Sequence, residues 1–406
     1  MQSREKSPDH YSKRWIYVVL GILINLCLGT IYSWSVFRRP IEEVLDLTAT
    51  QSGLPYMFFL FFYAVTMPLA GKYIDKYSPR WIAAAGGIMV SAGWFFAGLA
   101  GNIYTLTLTY GIIGGMGVGV VYGVPISVAG RWYPDQKGTV MGLTLLGFGL
   151  SPFLTAPAAR SLIENVGVMM TFRYLGLAFL FIIILLSLPL KNPRLARAAR
   201  GDQDIKNRSG AKTWVDILKS VRFFSLWFCY LIGTFAGLMA IGITSPVGEE
   251  MINLPGETAA LTLSLFAVFN GVGRPLYGWI TDRFSPHRAA ILSYILILIA
   301  SILMLGAEEG SIILFIISFS LLWLNLGGWL AIAPAATGSI FGSDNYSRNY
   351  GLVFTAYGVG ALLGTAVSGS IRDLMGSYIN SFYVLIILSL LGIAAAWLFL
   401  KERSIE

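Results

Sequence analysis

The sequence GKYIDKYSPR at residues 71–80 returns later in the chain as GWITDRFSPHR at residues 278–288. Gly71 and Gly278 are 207 positions apart, and the Asp, the basic residue and the Ser of each copy keep the same separation. The acidic pair at 42–43 also returns, at 249–250, with that separation. Two matches at one separation indicate that the chain consists of two related halves.

Both halves are too apolar for a soluble protein. Of the 406 residues, 56% are hydrophobic and only 12% are charged, whereas a soluble domain carries about 25% charged residues. Twelve apolar runs, the first near 15–36, recur along the chain. Each run has about 20 residues and can cross about 30 Å of hydrocarbon as a helix. The sequence therefore predicts an all-α membrane protein with twelve transmembrane helices in two pseudo-symmetric six-helix bundles.

A long polar stretch at residues 191–222 separates an N-terminal bundle, 1–190, from a C-terminal bundle, 223–406. Twelve spans put both termini and this linker on one side, which carries 23 Lys/Arg and 11 Asp/Glu and is called the basic face here. The opposite side, called the acidic face, carries 5 Lys/Arg and 10 Asp/Glu. Because basic loops stay in the cytoplasm, we expect cytoplasmic termini in a cell (inner) membrane. The net charge of +8 then records topology and predicts no nucleic-acid partner.

Arg274 belongs to neither face, because it lies well inside the eighth apolar run, and we expect it to be the one charged side chain so placed. It stands eight residues before Asp282, about 12 Å along a helix. Placing it there costs at least about 2.5–3.5 kcal/mol. The apolar runs offer no Asp or Glu partner. A guanidinium binds a carboxylate through two parallel hydrogen bonds, so we expect the substrate to supply one carboxylate.

Other side chains of the spans can complete this site. Asn270 lies one turn before Arg274 on the same helix face and can hold the guanidinium or accept from a substrate hydroxyl. A helix-packing amide is the alternative. Tyr122 and Tyr357 can each donate a phenol hydrogen bond to a carboxylate. The remaining lining residues that we expect are Leu28, Leu145, Asn325 and Trp329.

Other chemistry finds no support in the sequence. His10 and His287 fall outside the spans, which argues against an intramembrane metal site. Cys27 and Cys229 fall inside them and form no disulfide framework. The spans also hold no convergent nucleophile and base. We expect neither enzyme activity nor a metal or cofactor.

The repeated loop, Gly-x-x-x-Asp-(Lys/Arg)-x-Ser-Pro followed by a basic residue, resembles the loop signature of the major facilitator superfamily, which usually has Gly where Ser and Pro stand here. The resemblance implies two bundles that rock about a substrate site at the midplane. It also implies that the charged loop residues act in gating, by pairing with each other and with helix N-termini. These residues are Asp75, Lys76, Arg80, Asp282, Arg283 and Arg288.

A narrower resemblance rests on GMGVGVVYGVPISVAGRWYPDQKG at 115–138, YSW at 32–34, NGVGRP at 270–275 and RNYG at 348–351. Together these strings resemble the oxalate/formate antiporter group, which is similar to the monocarboxylate transporters of animals. The resemblance implies that Arg274 binds the substrate carboxylate and that Tyr122 lines the site.

Three positions depart from that pattern. Tyr357 stands where oxalate exchangers carry a second cation, a lysine, and Ile31 stands where they carry a glutamine. Both departures favour a monocarboxylate over a dicarboxylate. Asn270 stands where animal monocarboxylate carriers have an aspartate, which leaves the proton-carrying group open.

The sequence therefore predicts a secondary transporter of a small monocarboxylate such as lactate or pyruvate, monomeric in the lipid bilayer. Symport with a proton is our preferred mechanism, and anion exchange is the alternative. An arginine without an aspartate partner favours exchange, because the empty carrier reorients poorly. A single cation and the resemblance to monocarboxylate carriers favour symport.

Overall fold

A computed structural model describes residues 14–74, 77–133, 136–193, 217–342 and 346–400. Across these ranges the chain forms twelve long helices and no strand. In chain order they are α1 (Trp15–Leu45), α2 (Ala49–Ile74), α3 (Pro79–Ala97), α4 (Ile103–Trp132), α5 (Lys137–Val166), α6 (Val168–Ser187), α7 (Val221–Glu250), α8 (Gly256–Phe284), α9 (Pro286–Leu305), α10 (Ile312–Phe341), α11 (Tyr346–Met375) and α12 (Ser381–Phe399). Within them, α1 contains a 3-10 segment, Gly29–Ser33, and α4 a π-helical segment, Thr107–Gly114.

Eleven of these helices are long and apolar enough to cross a membrane. The remaining helix, α3, has 19 residues and is rich in alanine and glycine, which lowers its hydropathy. Its length of about 28 Å at 1.5 Å per residue still matches the hydrocarbon thickness. The chain is therefore a multi-pass membrane protein.

The two halves repeat the same arrangement of helices. Ala49 and Gly256 begin α2 and α8, and Pro79 and Pro286 begin α3 and α9, each pair 207 positions apart. Proline suits the first helical turn because its missing N–H would find no partner there. In the first half α1 packs on α5, α2 on α4 and α3 on α6, and in the second half α7 packs on α11, α8 on α10 and α9 on α12. The predicted pseudo-symmetric fold is confirmed.

The halves meet along two antiparallel helix pairs, α2 with α11 and α5 with α8. Glycines let the backbones approach closely along the first pair. A Cβ on Gly369 would lie 2.7 Å from Thr50 Cα, and one on Gly351 would lie 2.6 Å from Pro68 Cβ. These two contacts lie at opposite ends of α2, so the α2–α11 seam is packed from one face of the membrane to the other.

The structure corrects one expectation about charge. Helix α1 continues through Pro40 to Leu45, well beyond the apolar run near 15–36, and carries Arg38 into the interior, where it is 0% exposed. Arg274 is therefore not the one charged side chain inside a span. Hydropathy misses Arg38 because the side chain is covered by protein and not by lipid.

Candidate functional site

Arg274 lies on α8 at the seam with α5 and is 8% exposed. Its Nη1 donates to the carbonyl oxygen of Leu145 at 2.6 Å, and its Nη2 donates to Asn270 Oδ1 at 3.4 Å. The buried Nε has no hydrogen-bond partner among the described residues. A charged fork held by two neutral acceptors, with its buried Nε–H left without one, suits an anion, because charge-assisted hydrogen bonds are the stronger ones.

The close approach of α5 to the guanidinium depends on Gly149. A Cβ at this position would lie 3.1 Å from Arg274 Nη2 and 2.8 Å from Asn270 Oδ1. The same helix provides the Leu145 carbonyl, so α5 of the first half positions a side chain of the second half. Leu145 acts here through its backbone, while its side chain is half-buried.

Asn270 is fully buried one turn before Arg274 on α8. Its Oδ1 accepts from Arg274, and its Nδ2 donates to the carbonyl oxygen of Trp323 on α10 at 3.2 Å. Of the three roles considered from the sequence, the geometry shows the amide bonded to the guanidinium and also packing between helices, while acceptance from a substrate hydroxyl stays a prediction. The amide also ties α8 to α10.

Two tyrosines lie near the guanidinium. Tyr122 on α4 is 9% exposed and contacts Tyr63 edge-to-face, with ring centroids 5.2 Å apart, and Phe148 likewise at 5.3 Å. Both Tyr122 and Tyr32 lie within electrostatic range of Arg274. The structure thus brings the predicted Tyr122 to Arg274.

Tyr357 on α11 reaches the same group through Tyr32, a residue that the sequence reasoning did not select. The two hydroxyls lie 2.8 Å apart, and both side chains are buried. Tyr32 is the first residue of the YSW string, which was the available signal. Leu28, one turn earlier on α1, is also buried.

Asn325 and Trp329 on α10 are both fully buried within the second half. Asn325 Oδ1 accepts from the Tyr277 hydroxyl at 2.6 Å, and its Nδ2 donates to the Leu321 carbonyl at 2.7 Å. The Trp329 ring packs against Tyr294, with centroids 5.4 Å apart. These contacts are those of helix packing, and a role in closing the cavity stays a prediction.

Four of the six predicted gating residues fall within the described ranges, on the basic face. Arg80, Asp282, Arg283 and Arg288 are exposed, while Asp75 and Lys76 lie outside the described residues. Ser285, in the second loop, has a φ of 104°, in the left-handed region that favours glycine. Its Oγ lies 2.8 Å from His287 Nδ1. A gating role for these residues stays a prediction.

The acidic face carries contacts between the halves that the sequence did not reveal. Arg39 Nη1 binds Glu249 Oε2 at 3.2 Å beside a cavity of about 520 Å³ between α1, α5, α6, α7 and α8. Arg38 lies over the ring of Tyr378, in the α11–α12 loop, at 5.7 Å. Burial raises the pKa of the Tyr378 phenol to about 12.

The arrangement can bind one carboxylate but offers little for covalent chemistry. The described residues hold no group of three or more His, Cys, Asp or Glu that could bind a metal. The side chains around Arg274 are phenols, an amide and apolar groups. Such groups bind and orient an anion without reacting with it.

Comparisons with known proteins identify the family of the chain. A sequence profile of the Major Facilitator Superfamily matches residues 14–255 and 249–406. The oxalate:formate antiporter of Oxalobacter formigenes is 28% identical over 402 residues, which cover 96% of this chain and 92% of the relative. Human monocarboxylate transporter 11 is 24% identical, covering 94% of this chain and 82% of the relative.

Solved structures share the fold. A bacterial homologue of the human lysosomal transporter Spinster, in an inward-facing and unoccupied conformation, superposes with a TM-score of 0.73 at 16% identity, over 98% of this chain and 99% of that one. A point mutant of the nucleoside transporter NupG gives a TM-score of 0.75 at 14% identity, over 95% and 100%. The fold, the apolar helices and the profile match agree, and the chain belongs to the major facilitator superfamily as a membrane transporter and not an enzyme.

Proposed function

We propose that this transporter carries small monocarboxylates of the lactate and pyruvate type together with a proton, by alternating access of its two halves. The observation that carries the proposal is Arg274, a buried cation at the seam whose two hydrogen-bond acceptors among the described residues are both neutral. A buried guanidinium is costly until an anion completes its hydrogen bonds. The names of the two relatives support a small carboxylate as the substrate.

A single carboxylate suits the site better than two. Tyr32, which lies within electrostatic range of Arg274, pairs its hydroxyl with that of Tyr357, so that this pair is neutral and bonded to itself. A second carboxylate there would be buried without a counter-charge, which costs several kcal/mol. We therefore favour acids with one carboxylate and a small neutral end.

Anion exchange is the second candidate, and the Nε of Arg274, which has no acceptor among the described residues, favours it. An empty carrier must reorient with this charge incompletely bonded, so that a second anion would speed the return step. Symport requires the empty site to reorient without an anion, with Asn270 of the same helix retaining the guanidinium. We favour symport because this bond stays within the second half and because the site offers a single cation for a single carboxylate.

The proposed moving parts are residues 1–190 and 223–406, joined by the linker 191–222. We place both termini in the cytoplasm of a cell with the protein in its inner membrane, on the charge distribution described above. The working unit is the monomer, because each chain carries both halves of the site.

Uptake into liposomes tests the proposal. Labelled lactate is offered with formate, acetate, pyruvate and oxalate as competitors, to the wild type and to Arg274→Gln. A matched control is Arg173→Gln, because Arg173 also lies in a span but binds the Gly98 carbonyl, at 2.8 Å, away from the seam. We expect Arg274→Gln to abolish saturable uptake and the control to keep it. Full uptake by Arg274→Gln would overturn the site.

The same vesicles decide the coupling. Symport predicts uptake into vesicles without internal anion, faster when the outside is acidified. A strict requirement for internal anion would decide for exchange.

A further inference from the structure

Several polar contacts join the two halves at the acidic face, and Arg38 is the most buried side chain among them. We propose that Arg38 is a positioning residue for transport, which holds this face closed by binding a carbonyl that a proline has left free. The acidic-face latch consists of Arg38, Gly242 and Asp373. The proposal rests on the alternating access proposed above.

The partner of Arg38 in the second half is the carbonyl oxygen of Gly242 on α7, 3.2 Å from Nη1. In a helix this oxygen would accept from the N–H four residues later. That residue is Pro246, which has no N–H. Both Arg38 and α7 at this level are buried, so the freed carbonyl cannot turn to water and needs a protein donor.

The remaining hydrogen-bond partners of Arg38 belong to its own half, while the Tyr378 ring, 5.7 Å away, belongs to the second half. Its Nη2 donates to the Ala49 carbonyl at 2.5 Å, its Nε donates to Ser52 Oγ at 3.1 Å, and Glu42 Oε1 lies 3.9 Å from Nε. Ser52 also donates to Glu42. When the halves part, Arg38 thus loses its bond to α7 but keeps a carboxylate and two acceptors. The contact can break and re-form without leaving an unpaired charge.

Asp373 on α11 makes a second link, to the N-terminal turn of α2. Its carboxylate accepts from the backbone N–H of Ala49 at 2.8 Å and of Thr50 at 2.9 Å. The next free N–H, of Gln51, is satisfied within α2 by Thr48 Oγ1, while Gln51 Oε1 accepts from the Thr48 N–H. This is a capping box. The second half therefore supplies the two acceptors that α2 does not provide for itself.

The other seam repeats the use of a proline-freed carbonyl. Pro157 in α5 leaves the carbonyl of Phe153 without its helical donor. Ser264 Oγ of α8 donates to it at 3.1 Å. Two separate contacts between the halves, α1 with α7 and α5 with α8, thus use a carbonyl that a proline has freed, which is not expected if Pro246 and Pro157 only bend their helices.

Arg39, the neighbour of Arg38, provides the matched control. It also binds across the halves, to Glu249, but its side chain is 53% exposed. Exposed ion pairs are screened by water and salt and contribute little. Closure should therefore depend on Arg38 and not on Arg39.

The experiment measures how often the acidic face opens, with a cysteine in place of Ser35. Ser35 is 1% exposed on α1 and bonds Ser245 across the seam at 3.4 Å. Full-length protein in liposomes is treated with a membrane-impermeant maleimide on both sides. The native cysteines, Cys27 and Cys229, are buried. Their labelling is measured in protein without the reporter and is subtracted.

Pro246→Ala restores the helical donor to Gly242 and leaves Arg38 unchanged. We expect it, and separately Asp373→Asn, to raise the labelling rate about 10-fold, the scale of one charge-assisted hydrogen bond. Arg39→Gln should change the rate less than about 3-fold. Arg38→Gln should open the face, and Arg38→Lys should restore part of the protection, which a general loss of packing would not do.

Unchanged labelling in Pro246→Ala and Asp373→Asn, with both variants monodisperse on gel filtration, would overturn the latch. An equal effect of Arg39→Gln would also overturn it. Labelling needs no substrate, so the outcome is independent of the proposed function. If the wild type transports no monocarboxylate but the variants show the expected labelling, the substrate proposal is wrong and the latch proposal stands.

Discussion

The hydroxyls of Tyr32 and Tyr357 lie 2.8 Å apart and join α1 of the first half to α11 of the second. Each hydroxyl is buried, and removal of one leaves the other without its partner, at a cost of about 1–3 kcal/mol. Tyr32→Phe and Tyr357→Phe should therefore each lower thermal stability. The double variant should lose less than the sum, with a coupling of about 1 kcal/mol. Additive losses in a double-mutant cycle would contradict this.

Gly149→Ala should displace the guanidinium of Arg274. The added methyl would lie 3.1 Å from Nη2 and 2.8 Å from the Asn270 oxygen that holds it. We expect the KM for the transported acid to rise at least about 10-fold, since a displaced fork loses one of its two carboxylate bonds. Gly142→Ala is the control on the same helix, because a Cβ there meets no atom within 4 Å. Equal KM values in the two variants would speak against the site.

Asn270→Asp should place a carboxylate of the protein in competition with the substrate for Arg274. The new carboxylate would stand in place of an oxygen 3.4 Å from Arg274 Nη2 and would pair with it. We expect a higher KM at neutral pH and partial recovery on acidification, because protonation of the aspartate frees the guanidinium. Uptake measured against pH should rise more steeply than in Asn270→Ser, which adds no titrating group. Parallel pH profiles would refute the contact.

Trp329→Phe separates packing from substrate contact. Trp329 is fully buried against Tyr294, and its Nε1 has no hydrogen-bond partner among the described residues. The smaller ring should reduce the free energy of unfolding by about 1–3 kcal/mol through lost packing, with KM within about 2-fold of the wild type. A large rise in KM at unchanged thermal stability would instead place this ring in the substrate cavity.

The parts of the molecule that the sequence predicts are those set by local patterns. Apolar runs identify the spans, and the repeat at residues 71–80 and 278–288 identifies the two halves. Arg274 stands out because an arginine flanked by apolar residues is costly in lipid. For the spans and for Arg274 the relevant physics acts within about 20 neighbouring residues.

Contacts between distant helices escape such reasoning. Arg38 lies in a polar stretch, and only the packing of α7 against α1 shows that it is buried. The bond of Tyr32 to Tyr357 spans 325 positions, so that no local period can predict it. Residue type alone predicts that Asn325 lines the substrate cavity, while its hydrogen bonds are made with Tyr277 and Leu321.

The glycine-lined contact between α2 and α11 has a mechanical consequence. Gly351, Gly358 and Gly369 present bare backbone to α2, so the two helices approach closely at these three levels. Between these levels the ring of Tyr63 on α2 packs against Phe354 and Tyr357 of α11. The glycine contacts exclude water when the helices are closed, and few side chains must change rotamer at these levels when the helices tilt. A larger side chain in place of a glycine at one end of this contact would force α2 and α11 apart there. The end chosen would decide towards which side of the membrane the protein opens.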